Sequence, residues 1–444
     1  MELAICDYRL SRKRPLFDAD PLLYSKKCLA SLKSLLHRYQ TEASQHRRLK
    51  TFCRHPAPRD VRVTEETKHA TDGRSFSEQI SSWLDVQNAG KKVLEHLKLR
   101  QAADDLFFHE SVNKKFLEFH GDITEECGAE YKQHSWAVIE KQDEIVMYGP
   151  YYPNYSNGEH SEDIIITQTQ KLLESEAISE EWKVYVFTMN SPCLTRNKDP
   201  CMLNLVQKAQ DWWTNYRVKT HIGYVRCWGF KGSKENLFRD VTYSQVDCID
   251  RVEDYESYAK AAETSAALNP LSENLYCAIK HRLKSGDVTF PLVSATQSQE
   301  WRGYFKGLHS VSESKPEDER PILTQEVDAF VDAVQTLLSE QSQSFEEHLE
   351  RGGAFARDYM SVSQLSDADQ DQVRLTFQHC WREMVQDKFA EVLREKVTED
   401  FNQCTVQLFI KDIQTFTQEF VQIGRIQFPE DTKDKENLVT TYKS

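Results

Sequence analysis

The sequence predicts an α/β fold: a mixed sheet with helices packed on it and further helices before and after it. Residues 135–140 and 145–148 are two β-like runs joined by a polar turn, which predicts a hairpin. Residues 182–189 and 220–228 are rich in β-branched and aromatic side chains, which predicts two more strands. Beyond residue 322 the apolar residues recur at helical spacing, which predicts a C-terminal helical bundle.

Helical segments are predicted between and around these strands. Apolar residues at helical spacing predict helices within 80–97 and 106–119, ahead of the hairpin. A third helix is expected to open at His160, and a fourth near Cys201, where an Asp-Pro pair suits a helix start. After the fourth strand we expect another strand at 243–249, with a helix after it that closes the core.

The C-terminal bundle is predicted to contain three antiparallel helices. The first includes residues 327–338, and the pair Gly352-Gly353 is expected to break the helical pattern that follows. The second is expected through 366–384 and the third through 406–416. We expect the bundle to pack on the core, with a protein partner as the alternative role of its surface.

The composition is typical of a globular protein and does not predict membrane association. Of its 444 residues 39% are hydrophobic and 28% are charged. No apolar run approaches the roughly 18 residues of a membrane span, so no membrane association is expected. The 11 cysteines are an odd number scattered along the chain, and no secretory signal is visible at the N-terminus. Reduced thiols in the cytoplasm or nucleus are therefore expected.

Charge is distributed unevenly along the chain. The net charge is −14, yet residues 1–55 carry 12 Lys and Arg against 5 Asp and Glu. A basic arm on an acidic body could contact a polyanion. The alternative, which we weight more heavily, is a solvated helical face or an arm docked onto the acidic body.

One group of residues carries metal chemistry. His160-Ser161-Glu162 is followed by Pro192-Cys193 and then by Cys201. One imidazole and two thiolates could hold Zn²⁺ with a fourth position open, which is the catalytic arrangement, and zinc lowers the pKa of bound water to about 7. Glu162 would then move protons without being a ligand. A second His-x-Glu, His348-Leu349-Glu350, has no Pro-Cys after it and serves as an internal control.

This division of roles resembles the cytidine-deaminase-like superfamily of zinc-dependent nucleobase and nucleoside deaminases, whose signature is H-x-E followed by P-C-x-x-C. The predicted order hairpin, helix, strand, helix, strand over residues 110–265 is similar to the core of that fold. The resemblance implies a three-layer core with a mixed sheet, flanked by N-terminal helices and the C-terminal bundle. The chain departs from the pattern because seven residues, 194–200, separate its cysteines where the family has two to four. It is identified as a divergent member.

The resemblance assigns roles to individual residues. It implies that Zn²⁺ is held by His160, Cys193 and Cys201 and that Glu162 is the catalytic proton shuttle. It places the loop 148–158 at the border of the base pocket. The candidate substrate-binding residues are Tyr155, Asn190, Ser191 and Trp228, with Tyr151 and Tyr152 as further aromatic surfaces on which a base could stack. The competing interpretation is ordinary packing of these aromatic side chains.

The chain is accordingly divided into six regions. They are a basic helical N-terminal region (1–58), a linker (59–78), a deaminase-like zinc domain with its preceding helices (79–268), a connector (269–321), the helical bundle (322–428) and a polar tail expected to be disordered (429–444).

The predicted function is zinc-dependent hydrolytic deamination of an amino-substituted base, with cytosine preferred over adenine, in a nucleoside or in single-stranded nucleic acid. In the superfamily, a parallel final strand accompanies polynucleotide-directed members. Two alternatives remain at this point. One is a deaminase fold without turnover that acts as a binding or scaffold protein, and the other is a helical interaction protein in which the motif is coincidental. A structural zinc site would need a fourth ligand, for which His134 and Cys227 are candidates.

Overall fold

The computed structural model describes most of the chain from residue 76 onward, together with one short N-terminal segment. The described residues are 10–13, 76–98, 106–127, 132–142, 144–175, 182–196, 198–230, 237–252, 255–262, 272–284, 288–293, 300–338 and 341–428. Most of the predicted basic region and linker, and the predicted tail, lie outside this set. Leu10–Lys13, expected to begin a helix, is instead a short strand.

The strands are β1 (Leu10–Lys13), β2 (Ser135–Glu140), β3 (Glu144–Tyr151), β4 (Lys183–Asn190), β5 (Lys219–Arg226) and β6 (Val421–Arg425). The α-helices are α1 (Phe76–Leu84), α2 (Val86–Lys98), α3 (Glu110–Cys127), α4 (Ser161–Ser175), α5 (Cys201–Tyr216), α6 (Tyr243–Asp247), α7 (Tyr255–Ala262), α8 (Ser272–Lys284), α9 (Lys306–Glu313), α10 (Arg320–Val334), α11 (Phe345–Ser361) and α12 (Asp367–Thr417). No helix in the described part of the chain is both long enough and apolar enough to cross a membrane.

The six strands form one mixed sheet in the order β1-β3-β2-β4-β5-β6. The pairs β1/β3, β3/β2 and β2/β4 are antiparallel, whereas β4/β5 and β5/β6 are parallel. Since β2 runs opposite to both of its neighbours, β3, β4 and β5 all end at the same edge of the sheet. Ser135, which opens β2, is paired with Tyr151 at the end of β3 and with Thr188 near the end of β4.

Helices cover both faces of the sheet, which confirms the predicted three-layer core. Successive residues of β2 point to opposite faces, as the period of a strand requires. Trp136 is buried in one cluster, beside Phe116 and Phe119 of α3. Ala137 is buried in another, beside the apolar residues of α4 and α5. Trp136 and Phe187, side by side on neighbouring strands, stack with ring centroids 4.7 Å apart.

The final strand of the sheet comes from a different part of the chain than predicted. Residues 243–249 were expected to be that strand, but they form helix α6 and the start of a π-helical turn, Cys248–Val252. Thr242 and Gln245 make a reciprocal capping box that starts the helix. Val246 and Ile249 are both buried, at the spacing of one helical turn. The strand position beside β5 is taken by β6, almost 200 residues later in the chain.

The C-terminal helices form a bundle, but the prediction of three antiparallel helices is wrong. The expected second and third helices are one continuous 51-residue helix, α12. Its first half shares a core with α9, α10 and α11, which includes Phe330, Phe377 and Trp381. Its second half is buried against α1, α2 and the loops beyond β5, through Leu393, Phe401 and neighbouring residues. The helix therefore joins the bundle to the deaminase-like core and ends next to β6.

The pair Gly352-Gly353 does not break a helix, contrary to prediction, because α11 continues through it to Ser361. A Cβ on Gly352 would lie 2.2 Å from Nε1 of Trp381. The Trp381 indole therefore lies directly against the backbone of α11, where its Nε1 donates a hydrogen bond to the carbonyl of His348 (2.8 Å). Glycine is needed at this position for close packing.

We predict that Gly352→Ala lowers the free energy of unfolding by about 1–3 kcal/mol or more, because the added methyl group overlaps a buried indole. Gly353→Ala is the matched control. Its Cβ would meet only the Arg357 guanidinium at 3.6 Å, and alanine favours a helix interior over glycine by roughly 0.5–1 kcal/mol. Chemical denaturation of the two variants measures both effects. Equal shifts in the two variants would contradict the proposed close contact.

Candidate metal centre and active site

The edge where β3, β4 and β5 end is also where α4 and α5 begin, and the predicted site residues lie there. After β3 the chain forms a 3₁₀ turn, Tyr155–Asn157, and then passes through Gly158 in the left-handed region (φ 62°). The backbone N–H of Asn154 donates to the carbonyl of Glu159 (2.8 Å), which closes this loop. The loop delivers His160 immediately ahead of α4.

The two cysteines reach the same edge from β4. Beyond the strand, the N–H of Ser191 donates to the carbonyl of Arg226 (2.6 Å), so the segment that leads to Cys193 stays tied to the end of β5. Cys201 is the first residue of α5. The N–H of Met202 donates to the carbonyl of Cys193 (3.1 Å), which brings the two cysteines together across the intervening loop.

The three predicted ligand atoms converge. Nδ1 of His160 lies 3.7 Å from Sγ of Cys193 and 3.4 Å from Sγ of Cys201. All three atoms lie within 4.8 Å of one another, and within the described ranges this is the cluster able to hold a metal ion. His134 and Cys227 are not part of it, so the geometry gives no support to a four-ligand structural site. An imidazole and two thiolates are a donor set that suits Zn²⁺.

Hydrogen bonding favours the thiolate form of Cys193. The hydrogen bond from Cys201 and the contact with His160 lower the pKa of the Cys193 thiol to about 5, although burial opposes the shift. The hydrogen bond with Cys193 raises the pKa of His160 in turn. The hydrogen bond between the two cysteines raises the pKa of the Cys201 thiol, and burial adds to the rise, whereas the backbone N–H groups at the helix N-terminus where Cys201 stands favour negative charge. Thiolates are the form that binds metal.

Glu162 is a buried carboxyl group in the first turn of α4, with only 3% of its surface exposed. Burial raises the pKa of its carboxyl group. The Ser161 hydroxyl donates to its Oε2 (3.2 Å), and the Thr188 hydroxyl lies 3.3 Å from its Oε1. A carboxyl group with raised proton affinity beside a metal-ligand cluster is suited to accepting and returning a proton.

The structure adds residues to the site that the sequence did not indicate. The Gln133 amide donates to the Thr188 hydroxyl (3.1 Å) and accepts from the N–H of Asn190 (2.9 Å). Ser135 and Ser161 share a buried hydrogen bond (2.7 Å). Together these side chains hold Glu162 and the end of β4 in place. The sequence contained a signal for Thr188, which lies two residues before the candidate Asn190 on the same predicted strand. It contained none for Gln133.

The four candidate substrate-binding residues differ in exposure. Tyr155 is 71% exposed, and its ring centroid lies 6.4 Å from that of His160. Asn190 and Trp228 are half-buried at the ends of β4 and β5. Ser191 is buried, and its hydroxyl accepts from the N–H of Trp228 (2.9 Å), so it fixes the loop beyond β5. Their roles in substrate binding stay predictions.

The other two aromatic candidates also differ in exposure, and the second His-x-Glu lies outside the candidate site. Tyr152 is 41% exposed, while Tyr151 is buried in the sheet core and has no surface for a base. His348 is buried, with its Nε2 2.8 Å from the carbonyl of Phe290, and among the described residues it is not part of a group that could hold a metal ion. It has a structural role in the bundle.

A protein-family model described as Secreted Novel AID/APOBEC-like Deaminase 3 matches residues 56–423, which confirms the resemblance to the cytidine-deaminase-like superfamily. No curated protein and no solved structure matches the chain significantly.

The family description corrects the expected location. It calls the family secreted, so the prediction of a cytoplasmic or nuclear protein is wrong. That prediction relied on the odd number and scatter of the cysteines and on the lack of a visible secretory signal. In the structure, Cys193 and Cys201 belong to the group of side chains that could hold a metal ion, and Cys380 and Cys404 are buried in helical cores. The number and scatter of cysteines with these roles do not indicate whether a compartment is reducing or oxidising.

We predict that the purified chain binds about one zinc ion, and that Cys201→Ala loses it because two remaining ligands hold the ion too weakly. Cys227→Ala is the control, since Cys227 stands near the end of β5 outside the cluster. Zinc content by atomic emission spectroscopy measures both. Zinc retained by Cys201→Ala and lost by Cys227→Ala would show that the ligand set is wrong.

Proposed function

Since the chain belongs to the Secreted Novel AID/APOBEC-like Deaminase 3 family, we propose that it is a zinc-dependent hydrolytic deaminase of an amino-substituted base, with cytosine preferred over adenine. The observation that carries the proposal is the position of Glu162. It is a buried carboxyl group in the same helical turn that follows the ligand His160, and it is outside the ligand cluster. Ligands and proton carrier thus face one site, as hydrolysis of a C–N bond requires.

Zinc held by His160, Cys193 and Cys201 would supply an activated water at neutral pH. The protein's own residues would manage the protons. Glu162 would take one proton from the attacking water and pass it to the ring nitrogen of the base. It would then take the second proton from the hydroxyl group now on the ring carbon and pass it to the departing amino group, which leaves a carbonyl on the ring. The new bond joins the water oxygen to the ring carbon, and the broken bond releases ammonia. Ser161 and Thr188 would keep the carboxyl group oriented through these transfers.

We further propose single-stranded nucleic acid as the substrate, ahead of the free nucleoside. The final strand β6 is parallel to β5, which in the superfamily accompanies polynucleotide-directed members. Tyr155 is exposed beside the ligand His160, so a flanking base can stack on it without entering an enclosed cavity. The net charge of −14 favours selective contacts near the site over tight nonspecific binding.

A second candidate is a deaminase-fold protein that binds nucleic acid without turnover. The seven-residue loop between the cysteines, a departure from the superfamily's spacing, favours it. Convergence of all three ligand atoms despite that loop favours the enzyme.

We predict that Glu162→Gln lowers deamination by about 10²–10⁴-fold while zinc stays bound, because the amide keeps the shape of the side chain but cannot carry the proton. Glu174→Gln, an exposed position at the far end of α4, is the matched control and should behave as the wild type. Release of ammonia from cytosine-containing single-stranded oligonucleotides measures both. A wild-type protein that holds zinc and deaminates neither oligonucleotides nor nucleosides would support the binding protein instead.

We predict that Tyr155→Ala weakens the binding of single-stranded oligonucleotides by about 1–3 kcal/mol, the contribution of one base stacked on an aromatic ring. Tyr155→Phe keeps the ring and should bind nearly as the wild type does. Fluorescence anisotropy with a labelled oligonucleotide compares the three proteins. Equal affinity for all of them would exclude stacking on Tyr155.

A further inference from the structure

The length of the loop between the two cysteines affects how firmly Cys201 is held near His160. Seven residues, 194–200, separate Cys193 from Cys201. Cys193 is held by the sheet, because Ser191 and Leu194 on either side of it donate backbone hydrogen bonds to the carbonyls of Arg226 and Gly229. Cys201 lies at the far end of the loop. The hydrogen bond from the N–H of Met202 to the carbonyl of Cys193 restrains the far end. A longer loop has more conformations to restrict, so a contact made from within the loop would add to that restraint.

Arg196, within this loop, makes a two-pronged ion pair with the first turn of α4. Its Nη1 donates to Oδ2 of Asp163 (2.7 Å) and its Nη2 donates to Oδ1 (2.8 Å). Only 10% of the Arg196 side chain and 25% of the Asp163 side chain are exposed. Paired, parallel hydrogen bonds of this kind fix orientation as well as distance.

Each partner of this ion pair also makes a hydrogen bond to the backbone at or near a proposed metal ligand. Oδ2 of Asp163 also accepts a hydrogen bond from the backbone N–H of His160 (2.9 Å). Nε of Arg196 donates to the carbonyl of Asp199 (2.5 Å), two residues before Cys201. A continuous set of hydrogen bonds therefore runs from the backbone of one ligand, through a carboxylate and a guanidinium, to the chain that carries another.

We propose that Arg196 is a positioning residue for the metal: it joins the start of α4 to the loop before α5 and so sets the distance between His160 and Cys201. The inference rests on the proposed function, because it takes the metal to be bound by the same three residues. Arg196 itself is not a ligand. Lysine cannot replace it, because an ammonium group is a point charge without the planar fork that engages both carboxylate oxygens and the Asp199 carbonyl.

The test compares metal affinity in Arg196→Gln, Arg196→Lys and Asp163→Asn with that of the wild type, by competition against a chelator. Residues that orient metal ligands typically contribute 10–100-fold in affinity, and we expect losses in that range for Arg196→Gln and Asp163→Asn. The double variant should lose no more than either single variant, since both remove the same connection. Lys198→Gln removes one positive charge from an exposed position in the same loop and should bind zinc as the wild type does.

A cobalt spectrum separates positioning from general stability. Cobalt bound by thiolates absorbs in the near ultraviolet, with an intensity that depends on the number of cobalt–sulfur bonds. Because Cys193 is held by the sheet and Arg196 ties the segment before Cys201 to the start of α4, Arg196→Gln should lose part of this absorption. If Arg196→Gln does not fold, Arg196→Lys, which keeps the charge and the stem, should fold and still show weaker affinity and reduced absorption.

The outcomes distinguish the two proposals. If the wild type binds no metal, the proposed function fails, and the positioning role fails with it. If the wild type binds zinc and Arg196→Gln and Arg196→Lys bind it equally tightly with unchanged cobalt spectra, the positioning role alone is wrong. A loss in Lys198→Gln as large as in Arg196→Gln would also overturn it, since charge rather than geometry would then explain the effect. The comparison of affinities does not depend on turnover.

Discussion

The candidate site depends on the parallel alignment of the strands that end beside it. Because β2 runs antiparallel to both β3 and β4, and β5 runs parallel to β4, three strands deliver their C-terminal ends to one edge of the sheet. Two helices begin at that edge, and His160, Glu162 and Cys201 lie at their first turns. Helix N-termini offer backbone N–H groups that favour negative charge at these positions, although burial acts in the opposite direction at Glu162. Ligands far apart in sequence meet because the sheet places the helix starts together.

The environment of Glu162 follows from the same arrangement. A carboxyl group in the first turn of α4 lies under the end of β4, where Thr188 and Ser161 contact it and where solvent is excluded. Burial raises the proton affinity of this group, while the neighbouring hydroxyl groups limit its orientations. The nearby Tyr155 is exposed, so a buried carboxyl group and an accessible aromatic ring lie at the same edge of the sheet.

Helix α12 gives the molecule its overall organisation. It has no glycine or proline over 51 residues, its first half completes the bundle core, and its second half is buried beneath α1 and α2. At its end the chain turns and adds β6 to the sheet beside β5. The segment just before this helix therefore belongs to the bundle, and the segment after it belongs to the sheet of the deaminase-like core. A protein of this family built in this way depends on its C-terminal segment to complete its sheet.

The sequence by itself determined the elements whose signals are local. The hairpin, the strands 182–189 and 220–228, and the helix starts at His160 and Cys201 could be predicted, because strand alternation and helix capping each act over a few residues. The His-x-Glu and Pro-Cys motifs predicted the grouping of His160, Cys193 and Cys201, which the structure brings together, and their role as metal ligands stays a prediction. Tertiary structure decided what depends on distant partners. Residues 243–249 suit either a helix or a strand, and only the arrival of β6 settles which segment pairs with β5. Gly352 permits a helix because Trp381 packs against it, and Arg196 reaches Asp163 across a loop whose path no local pattern encodes. These contacts join residues about 30 to 200 positions apart, and their energy comes from packing and paired hydrogen bonds that exist only once the layers have assembled.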